Sequence, residues 1–217
     1  MATNKTAGML TGNSLTSHIG EFSLQDYENL TQCTQIATKS ADMLCSRFAD
    51  PSKWLNEYVN TLDFIGWSVF EDAIFTRTRS VISHSIADFL VQSAQGMKDS
   101  RQGNAMIDTL DALKPDKPAM FSLDEESLMG ESFQVIPARY NSRGVLEIAV
   151  FNLELVTHTR ESSFLFWDWE DQDAQIIQRR ASLKLDKHKL DSKRSLIEKK
   201  LHEITMKRFD LRKRSSV

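Results

Sequence analysis

Residues 145–156 form a run that would be apolar on both faces of a β-strand. Side chains alternate across a strand, so Ile148 and Val150 face one side while Ala149 and Phe151 face the other. A strand of this kind does not suit a sheet that is open to water on one face. The run therefore requires cover on both sides, and the helices predicted before it can cover one of them.

The period of the hydrophobic pattern changes from 3.6 residues to 2 after a loop at residues 114–130. Pro115 and Pro118 in that loop mark the expected boundary between two subdomains. A turn at residues 140–144 separates the apolar run from the strand before it. Four strands are predicted, at residues 133–137, 145–156, 164–169 and 175–185. Because their connections are short, we expect an antiparallel meander over residues 131–186.

Residues 23–114 show the three- and four-residue spacing of amphipathic helices and predict a helical subdomain. The first helix is expected to begin near Ser23 and to run for about 25 residues. Asp50 is expected to cap the second helix, with Pro51 at its first position. Later helices are predicted within residues 64–75, 81–91 and 104–113, with breaks near Gly66 and at residues 76–80.

Residues 1–22 mix Thr, Ser, Asn and Gly without a period, which predicts a flexible leader. They contain one Lys and no apolar run of about seven residues, so they do not have the pattern of a secretory signal. We therefore expect a protein that is cytoplasmic as synthesised, and release by an unconventional route stays open.

Residues 187–214 return to a helical pattern, which predicts one long amphipathic helix. Four apolar residues recur at intervals of seven, with a fifth beside them, and form a candidate interaction seam. The seam consists of Leu190, Ile197, Leu201, Ile204 and Leu211. Eleven Lys and Arg against four acidic residues give this segment a net charge of +7, which leaves −10 on residues 1–186.

The basic C-terminal segment would suit the phosphates of a nucleic acid or of an anionic lipid. An apolar seam, however, requires a protein surface, and the acidic remainder of the chain offers one. We therefore expect the helix to pack on the body of the protein, on a second copy or on a second protein chain. Attraction to an anionic membrane stays open, and nucleic acid is disfavoured.

The sequence contains no recognisable motif for catalysis or cofactor binding. The eight glycines are too widely spaced for a Walker loop or a dinucleotide fingerprint, and no Ser has the glycine neighbours of a nucleophile elbow. The five His residues include no pair at i, i+4 spacing. Cys33 and Cys45 lie twelve residues apart in one helical pattern and cannot form a disulfide within it. We predict no catalytic site, no cofactor and no metal.

One acidic turn is a candidate cation site. Asp168, Glu170, Asp171 and Asp173 lie close together in the predicted turn before the fourth strand. Carboxylates so placed can converge on a hard cation such as Ca²⁺. A turn whose carboxylates are simply solvated is the favoured interpretation.

Residues 54–75 contain thirteen apolar residues among twenty-two, and every formal charge among them is acidic. The charged residues are Glu57, Asp63, Glu71 and Asp72. The segment is long enough to span a bilayer, and protonating its carboxylates would remove an insertion cost of about 2.5–3.5 kcal/mol for each charge. The four residues are therefore candidate switch carboxylates of a concealed membrane element. A buried helical hairpin of the core is the alternative.

Together these features predict an α+β protein: an N-terminal helical bundle, a four-stranded antiparallel meander and a long basic C-terminal amphipathic helix. Amphipathic helices and apolar strands without catalytic motifs favour a protein that acts by association. Our first hypothesis is a non-catalytic, oligomeric component of a bacterial toxin that acts at a membrane or a membrane-bound partner. An intracellular scaffold or adaptor that uses the seam is the alternative, and an enzyme of an unfamiliar type is the third hypothesis.

Overall fold

A computed structural model describes residues 6–70, 76–95, 101–169 and 174–212. These ranges contain eight strands and seven helices, which confirms the α+β class. The strands are β1 (Thr6–Thr11), β2 (Ser14–His18), β3 (Trp67–Val69), β4 (Thr76–Val81), β5 (Phe133–Tyr140), β6 (Leu146–Val156), β7 (Gln175–Leu185) and β8 (Arg208–Arg212). The helices are α1 (Leu24–Leu44), α2 (Pro51–Ile65), α3 (Ile86–Gln95), α4 (Arg101–Leu113), α5 (Lys117–Ser127), α6 (Lys187–Ser192) and α7 (Arg194–Leu201).

The eight strands form one mixed sheet in the order β3-β7-β6-β5-β2-β1-β8. Strand β4 also pairs with β7, at residues 175–180, beside the position where β3 pairs with residues 183–185. The β2–β5 pair is parallel and the other described pairs are antiparallel. Because a parallel neighbour requires a crossover, the chain leaves the β2 position, adds β3 and β4 to the far side of the sheet beside β7, and pairs with β2 again only at β5. The crossover contains the five helices α1 to α5.

Strand β6 is covered by helices on both faces, as its sequence requires. Ile148 and Val150 join one core with α1, α2, α6 and α7, which we call the cover layer. Ala149 and Phe151 join a second core with α3, α4 and α5, which we call the opposite layer. The described part of the protein is therefore a three-layer structure of helices, sheet and helices.

Local signals placed the first two helices correctly. The Ser23 side chain accepts a hydrogen bond from the Asp26 N–H at the start of α1. Asp50 caps α2 in the same way, with Pro51 in its first turn. The expected loop at residues 114–130 was wrong, because it contains α5, which Asp116 caps.

The predicted four-stranded meander was wrong. Consecutive strands β5, β6 and β7 pair as expected, but residues 164–166 form a 3₁₀ turn instead of a strand. Ser163 enters the left-handed region at φ 58°, and the Asp124 carboxylate accepts its N–H at 2.7 Å. This turn places Phe164 in edge-to-face contact with Phe133, with 5.0 Å between ring centroids. Phe164 is thus buried against one face of the sheet, and residues 164–166 do not add a strand to it.

The helices predicted over residues 64–75 and at the start of residues 81–91 were also partly wrong. Helix α2 ends at Gly66, whose φ of +122° disfavours any other residue. A Cβ at this position would lie 2.7 Å from the Leu190 Cα, so the close approach of α6 also requires glycine. The chain then pairs with β7 through β3 and, after residues 71–75, which lie outside the described residues, through β4.

The flexible leader predicted for residues 1–22 was wrong over its described part. Strands β1 and β2 form a hairpin, and β2 lies in the sheet between β1 and β5. Leu10 and Leu15 are buried in the core of the opposite layer. The side chains that alternate with them are mostly Thr and Ser, and they are buried too. The hairpin therefore lacks the apolar–polar alternation by which strands are recognised.

The prediction of a single long C-terminal helix was wrong as well. Asp186 caps α6, a break at Lys193 separates α6 from α7, and the chain ends its described part as β8 on the edge of β1. We call residues 186–212 the C-terminal strap. The seven-residue spacing of its apolar residues reflects burial in three short elements and not one continuous helical face.

We expect Leu10→Ala to lower the free energy of unfolding by about 2–5 kcal/mol, because Leu10 is fully buried. Leu24→Ala is the matched control: Leu24 is 78% exposed, and its loss should change stability by less than about 0.5 kcal/mol. Denaturant unfolding of the two variants measures both values. A flexible N-terminal segment would instead make the two substitutions equally harmless.

Candidate functional site

The candidate membrane segment forms two separate elements. Residues 54–65 belong to α2, whose apolar face packs in the cover-layer core. Trp67 follows Gly66 in β3 and is fully buried. In the described ranges, no helix has both the length and the apolarity needed to cross a membrane. The described part of this segment, residues 54–70, therefore contains the greater part of a helix and a short strand of the sheet.

Two of the four candidate switch carboxylates, Glu57 and Asp63, lie in the described part of the chain. Asp63 forms an ion pair with Lys189 of α6, at 3.2 Å between Oδ2 and Nζ. Glu57 lies half-buried on α2. Glu71 and Asp72 lie outside the described residues. Asp63 thus links α2 to the strap, and the switch role of the four carboxylates stays a prediction.

The candidate seam is divided between the two cores. Leu190 and Ile197 are buried in the cover-layer core, and Leu201 and Ile204 pack partly buried against it. Leu211 lies in β8 and is buried in the core of the opposite layer. The five residues therefore pack on the body of the same chain at two places, and a role for the seam in binding a partner stays a prediction.

The interface between α1 and the sheet has a polar half that the sequence analysis missed. On the helix, Thr31, Thr34 and Thr38 are buried. Below the cover layer, four neighbouring strands contribute five buried polar residues. These are Thr16 and Ser14 of β2, Gln134 of β5, Asn152 of β6 and Arg179 of β7. The helix and the sheet face below the cover layer thus each bury polar side chains beside the apolar core.

The threonine hydroxyls of α1 form their hydrogen bonds mainly within the helix. Thr34 donates to the Leu30 carbonyl at 2.9 Å, and Thr31 donates to the Tyr27 carbonyl at 2.8 Å. The Thr31 hydroxyl also contacts the Met9 sulfur of β1 at 3.2 Å. Because these hydroxyls are used internally, they form few strong bonds to the sheet.

The sheet side of this polar half is incompletely satisfied. Among the described residues, both amide atoms of Asn152 lack a hydrogen-bond partner, and so does the Gln134 Nε2. The Gln134 Oε1 accepts from the Ser14 hydroxyl at 2.7 Å. Arg179 connects the layers, because it donates to Glu154 of β6 and to Ser52 of α2, both at 3.1 Å. A buried group left unpaired costs about 1–3 kcal/mol.

A second link between α1 and its surroundings is centred on Asp26, which is 3% exposed. Its Oδ2 accepts from the Tyr140 hydroxyl at 2.7 Å and from the Lys187 Nζ at 3.3 Å. Burial alone would raise the pKa of Asp26, but these two hydrogen bonds and the Lys187 charge outweigh burial and lower the pKa below its ordinary value. The ionised form of Asp26 therefore ties α1 to β5 and to the strap.

Other cations of the strap also contact the body of the protein. Lys189 pairs with Asp63, Arg208 with Glu28 at 3.2 Å, and Lys207 with Glu125 at 3.6 Å. The Arg194 guanidinium donates to Asn29 on α1 at 2.8 Å. These contacts lie within one chain, so the basic segment does engage the acidic body. Engagement of a second chain or a membrane stays a prediction.

The remaining candidates are the metal ligands and the cysteines. Among the described residues, no three His, Cys, Asp or Glu side chains lie close enough to hold a metal ion. Of the acidic turn, Asp168 is described and exposed, while Glu170, Asp171 and Asp173 lie outside the described residues. Burial raises the pKa of the Cys33 thiol to about 11, which leaves it protonated at neutral pH.

Comparison with known proteins gives distant structural similarities. No protein-family model and no curated protein matches the chain. A solved delta-endotoxin is similar over 85% of each chain, with 12% identity and a TM-score of 0.47. The Evf virulence factor is similar over 93% of this chain and 84% of its own, with 7% identity and a TM-score of 0.39. Activated Cyt2Ba monomer from Bacillus thuringiensis subsp. israelensis is similar over 79% of this chain and 95% of its own, with 11% identity and a TM-score of 0.41.

We expect Tyr140→Phe to lower the free energy of unfolding at pH 7 by about 1.5–3 kcal/mol, because the buried Asp26 carboxylate loses a charge-assisted hydrogen bond. A lowered folded-state pKa stabilises above the unfolded value of about 3.9, and this stabilisation is lost as the pH falls through the folded value. The unfolded state is the same for parent and variant, and loss of the Tyr140 hydrogen bond raises the folded pKa of Asp26 in the variant because burial is then less opposed. The deficit should therefore be constant above the variant's folded pKa and shrink as the pH falls through it.

Tyr27→Phe provides the control for this prediction. The Tyr27 hydroxyl donates to Asp210 at 3.0 Å in an exposed setting, so its loss should cost about 0.5–1.5 kcal/mol or less. Chemical denaturation of the parent and both variants across pH measures these differences. A Tyr140→Phe deficit that stays unchanged between pH 7 and about 3, where carboxylates titrate, would contradict the assignment to Asp26.

Proposed function

We propose that the protein acts by association with a lipid membrane, as a non-catalytic toxin component, and that its cover layer separates from the sheet in the process. The observation that carries this proposal is the polar half of the interface below α1. The helical cover is held there by few hydrogen bonds, and Asn152 has both amide atoms unpartnered among the described residues. Separation would let these buried polar groups bind water, and these new hydrogen bonds would offset part of the free-energy cost of separating the layers.

The surfaces released by such a separation suit a bilayer. On α2 the buried face includes Trp54, Tyr58 and Leu62, all fully buried in the closed form. On the sheet, the corresponding apolar residues include Ile148 and Val150. An amphipathic helix with large aromatic residues on its apolar face binds at a membrane interface through that face. A bilayer therefore offers both surfaces an apolar environment that water does not.

The alternative of an adaptor that binds through the seam has less support. Leu190 and Ile197 are 1% exposed in the cover-layer core, and Leu211 is 1% exposed against the opposite layer. Residues already buried within the chain are not available to a partner without unfolding of the strap. The geometry thus favours membrane association over a scaffold that uses these residues.

Asn152→Leu tests whether separation of the cover layer matters. The substitution replaces an unpartnered buried amide by an apolar group of similar shape, so we expect the free energy of unfolding to rise by about 1–3 kcal/mol. If separation limits membrane action, leakage of anionic vesicles should slow by about fivefold or more, since 1 kcal/mol changes a two-state population by that factor. Thermal melts and dye release measure the two effects.

Gln102→Met is the matched control on the opposite layer. Gln102 of α4 is also fully buried, and both of its amide atoms lack a partner among the described residues. This substitution should stabilise the fold for the same reason while leaving leakage unchanged. Equal slowing by both variants would attribute leakage to global unfolding. A parent protein that leaves vesicles intact from neutral pH down to about 5, while still folded, would contradict direct membrane action.

Asp63→Asn tests the link between α2 and the strap. Its ion pair with Lys189 is half-exposed and should contribute about 0–1 kcal/mol, so its loss should speed leakage by up to about fivefold. Asp191→Asn is the control, because Asp191 pairs at 3.0 Å with Arg194 inside the strap itself. Dye release at fixed ionic strength compares the two variants. Identical rates would show that the strap does not restrain α2 during membrane action.

A further inference from the structure

An apolar groove lies on the outer side of the cover layer, where α1, α2 and α7 meet. It has a volume of about 280 Å³. Ile36 of α1, Phe64 of α2 and Leu196 of α7 supply apolar lining. Phe64 is 52% exposed, although aromatic side chains of this size are usually buried. The groove is formed in the closed protein and requires no separation of the layers.

The charges around this groove are cationic. Lys200 is part of its lining, and the Lys193 Nζ lies 4.5 Å from the centre of the Phe64 ring. The described lining residues include no carboxylate. Lys200 does pair with Glu203 at 3.4 Å, but this is an exposed pair one helical turn apart and contributes little energy. An anion at the mouth of the groove would therefore compete readily for Lys200.

We propose that this groove binds a free single-chain amphiphile with an anionic head group, of the chemical class of a fatty acid. The alkyl chain lies against Ile36, Phe64 and Leu196, and the carboxylate lies at Lys200, with the Thr61 hydroxyl as a neutral neighbour. The volume is near the lower limit of roughly 300–1,000 Å³ for ligand pockets, which suits one chain and not a two-chain lipid.

A ligand in this position would have a structural consequence. Its chain would contact α1 and α2 of the cover layer and α7 of the strap at the same time. A ligand that binds this arrangement better than a separated one stabilises the closed form. Binding would thus oppose opening of the cover layer. The proposal holds whether or not the protein acts on membranes, because it depends only on the closed groove.

Titration with dodecanoate, below the concentration at which it forms micelles, tests the proposal. Calorimetry should show saturable binding of one dodecanoate per chain, with a rise in the melting temperature. Dodecanol, which carries the same chain with a neutral head, should bind up to about fivefold more weakly, as expected for the loss of one exposed ion pair, and the cationic dodecyltrimethylammonium should bind more weakly still. Equal affinity for all three, or several molecules bound per chain, would overturn the assignment.

Variants then locate the site. Lys200→Glu should weaken dodecanoate binding by about fivefold or more. Lys199→Glu, at the adjacent exposed position outside the groove lining, should leave the affinity unchanged. Thr61→Trp should fill the groove and abolish saturable binding. If this variant does not fold, the lysine pair decides alone. Equal effects of the two lysine substitutions, or unaltered binding by folded Thr61→Trp, would overturn the proposal. Loss of a dimer on Thr61→Trp substitution would instead assign the groove to a second copy.

Discussion

The apolarity of both faces of β6 is the constraint on which the remaining structure depends. Neighbouring residues such as Ile148 and Ala149 enter separate cores, so no arrangement with one helical layer could bury the strand. Fully burying a large apolar side chain contributes about 1.5–3 kcal/mol, and the strand supplies several on each side. The long crossover between β2 and β5 meets this requirement, because it delivers helices to both faces of the sheet before the strand itself is reached.

The two layers that satisfy this constraint are not equivalent. The core of the opposite layer combines leucines of the N-terminal hairpin with aromatic residues such as Phe133 and Phe164, which pack edge to face. The cover layer packs α1 and α2 on an apolar core, but the sheet face below it also contains the buried polar residues Ser14, Gln134 and Asn152. Apolar packing loses its full transfer energy when it is separated in water, whereas a polar contact is partly replaced by water. If the structure opens, the side below α1 is where separation costs least.

The sequence allowed the elements with strong local signals to be predicted. Ser23, Asp50 and Pro51 marked the starts of α1 and α2, and the apolar run marked β6. The β1–β2 hairpin was missed because its polar residues are buried against a polar helix face. Alternating hydropathy indicates a strand only where one face of the strand is exposed to solvent and the other is buried. The strap was misread because apolar residues spaced by seven were buried by three different elements.

The polar interface could be recognised from the sequence on one side alone. Thr31, Thr34 and Thr38 share a helical face at three- and four-residue spacing, which is a readable departure from an apolar stripe. Their counterparts, such as Gln134 and Asn152, lie about a hundred residues further along the chain, and their position below α1 depends on the parallel pairing of β2 with β5. No local pattern encodes that pairing, so the sequence could indicate the polar face of the helix but not the polar residues of the sheet.

The electrostatics of the strap limit what could trigger opening in the proposed mechanism. The strap is held to α1 through Asp26, whose pKa lies below its ordinary value because the Tyr140 and Lys187 contacts outweigh the effect of burial. Such a carboxylate stays ionised at pH 5, so mild acid does not release this link. Ion pairs at the exposed end of the strap, such as Lys207 with Glu125, are screened by salt instead. An anionic surface that competes for the strap's cations could therefore loosen the cover at neutral pH, where protonation could not.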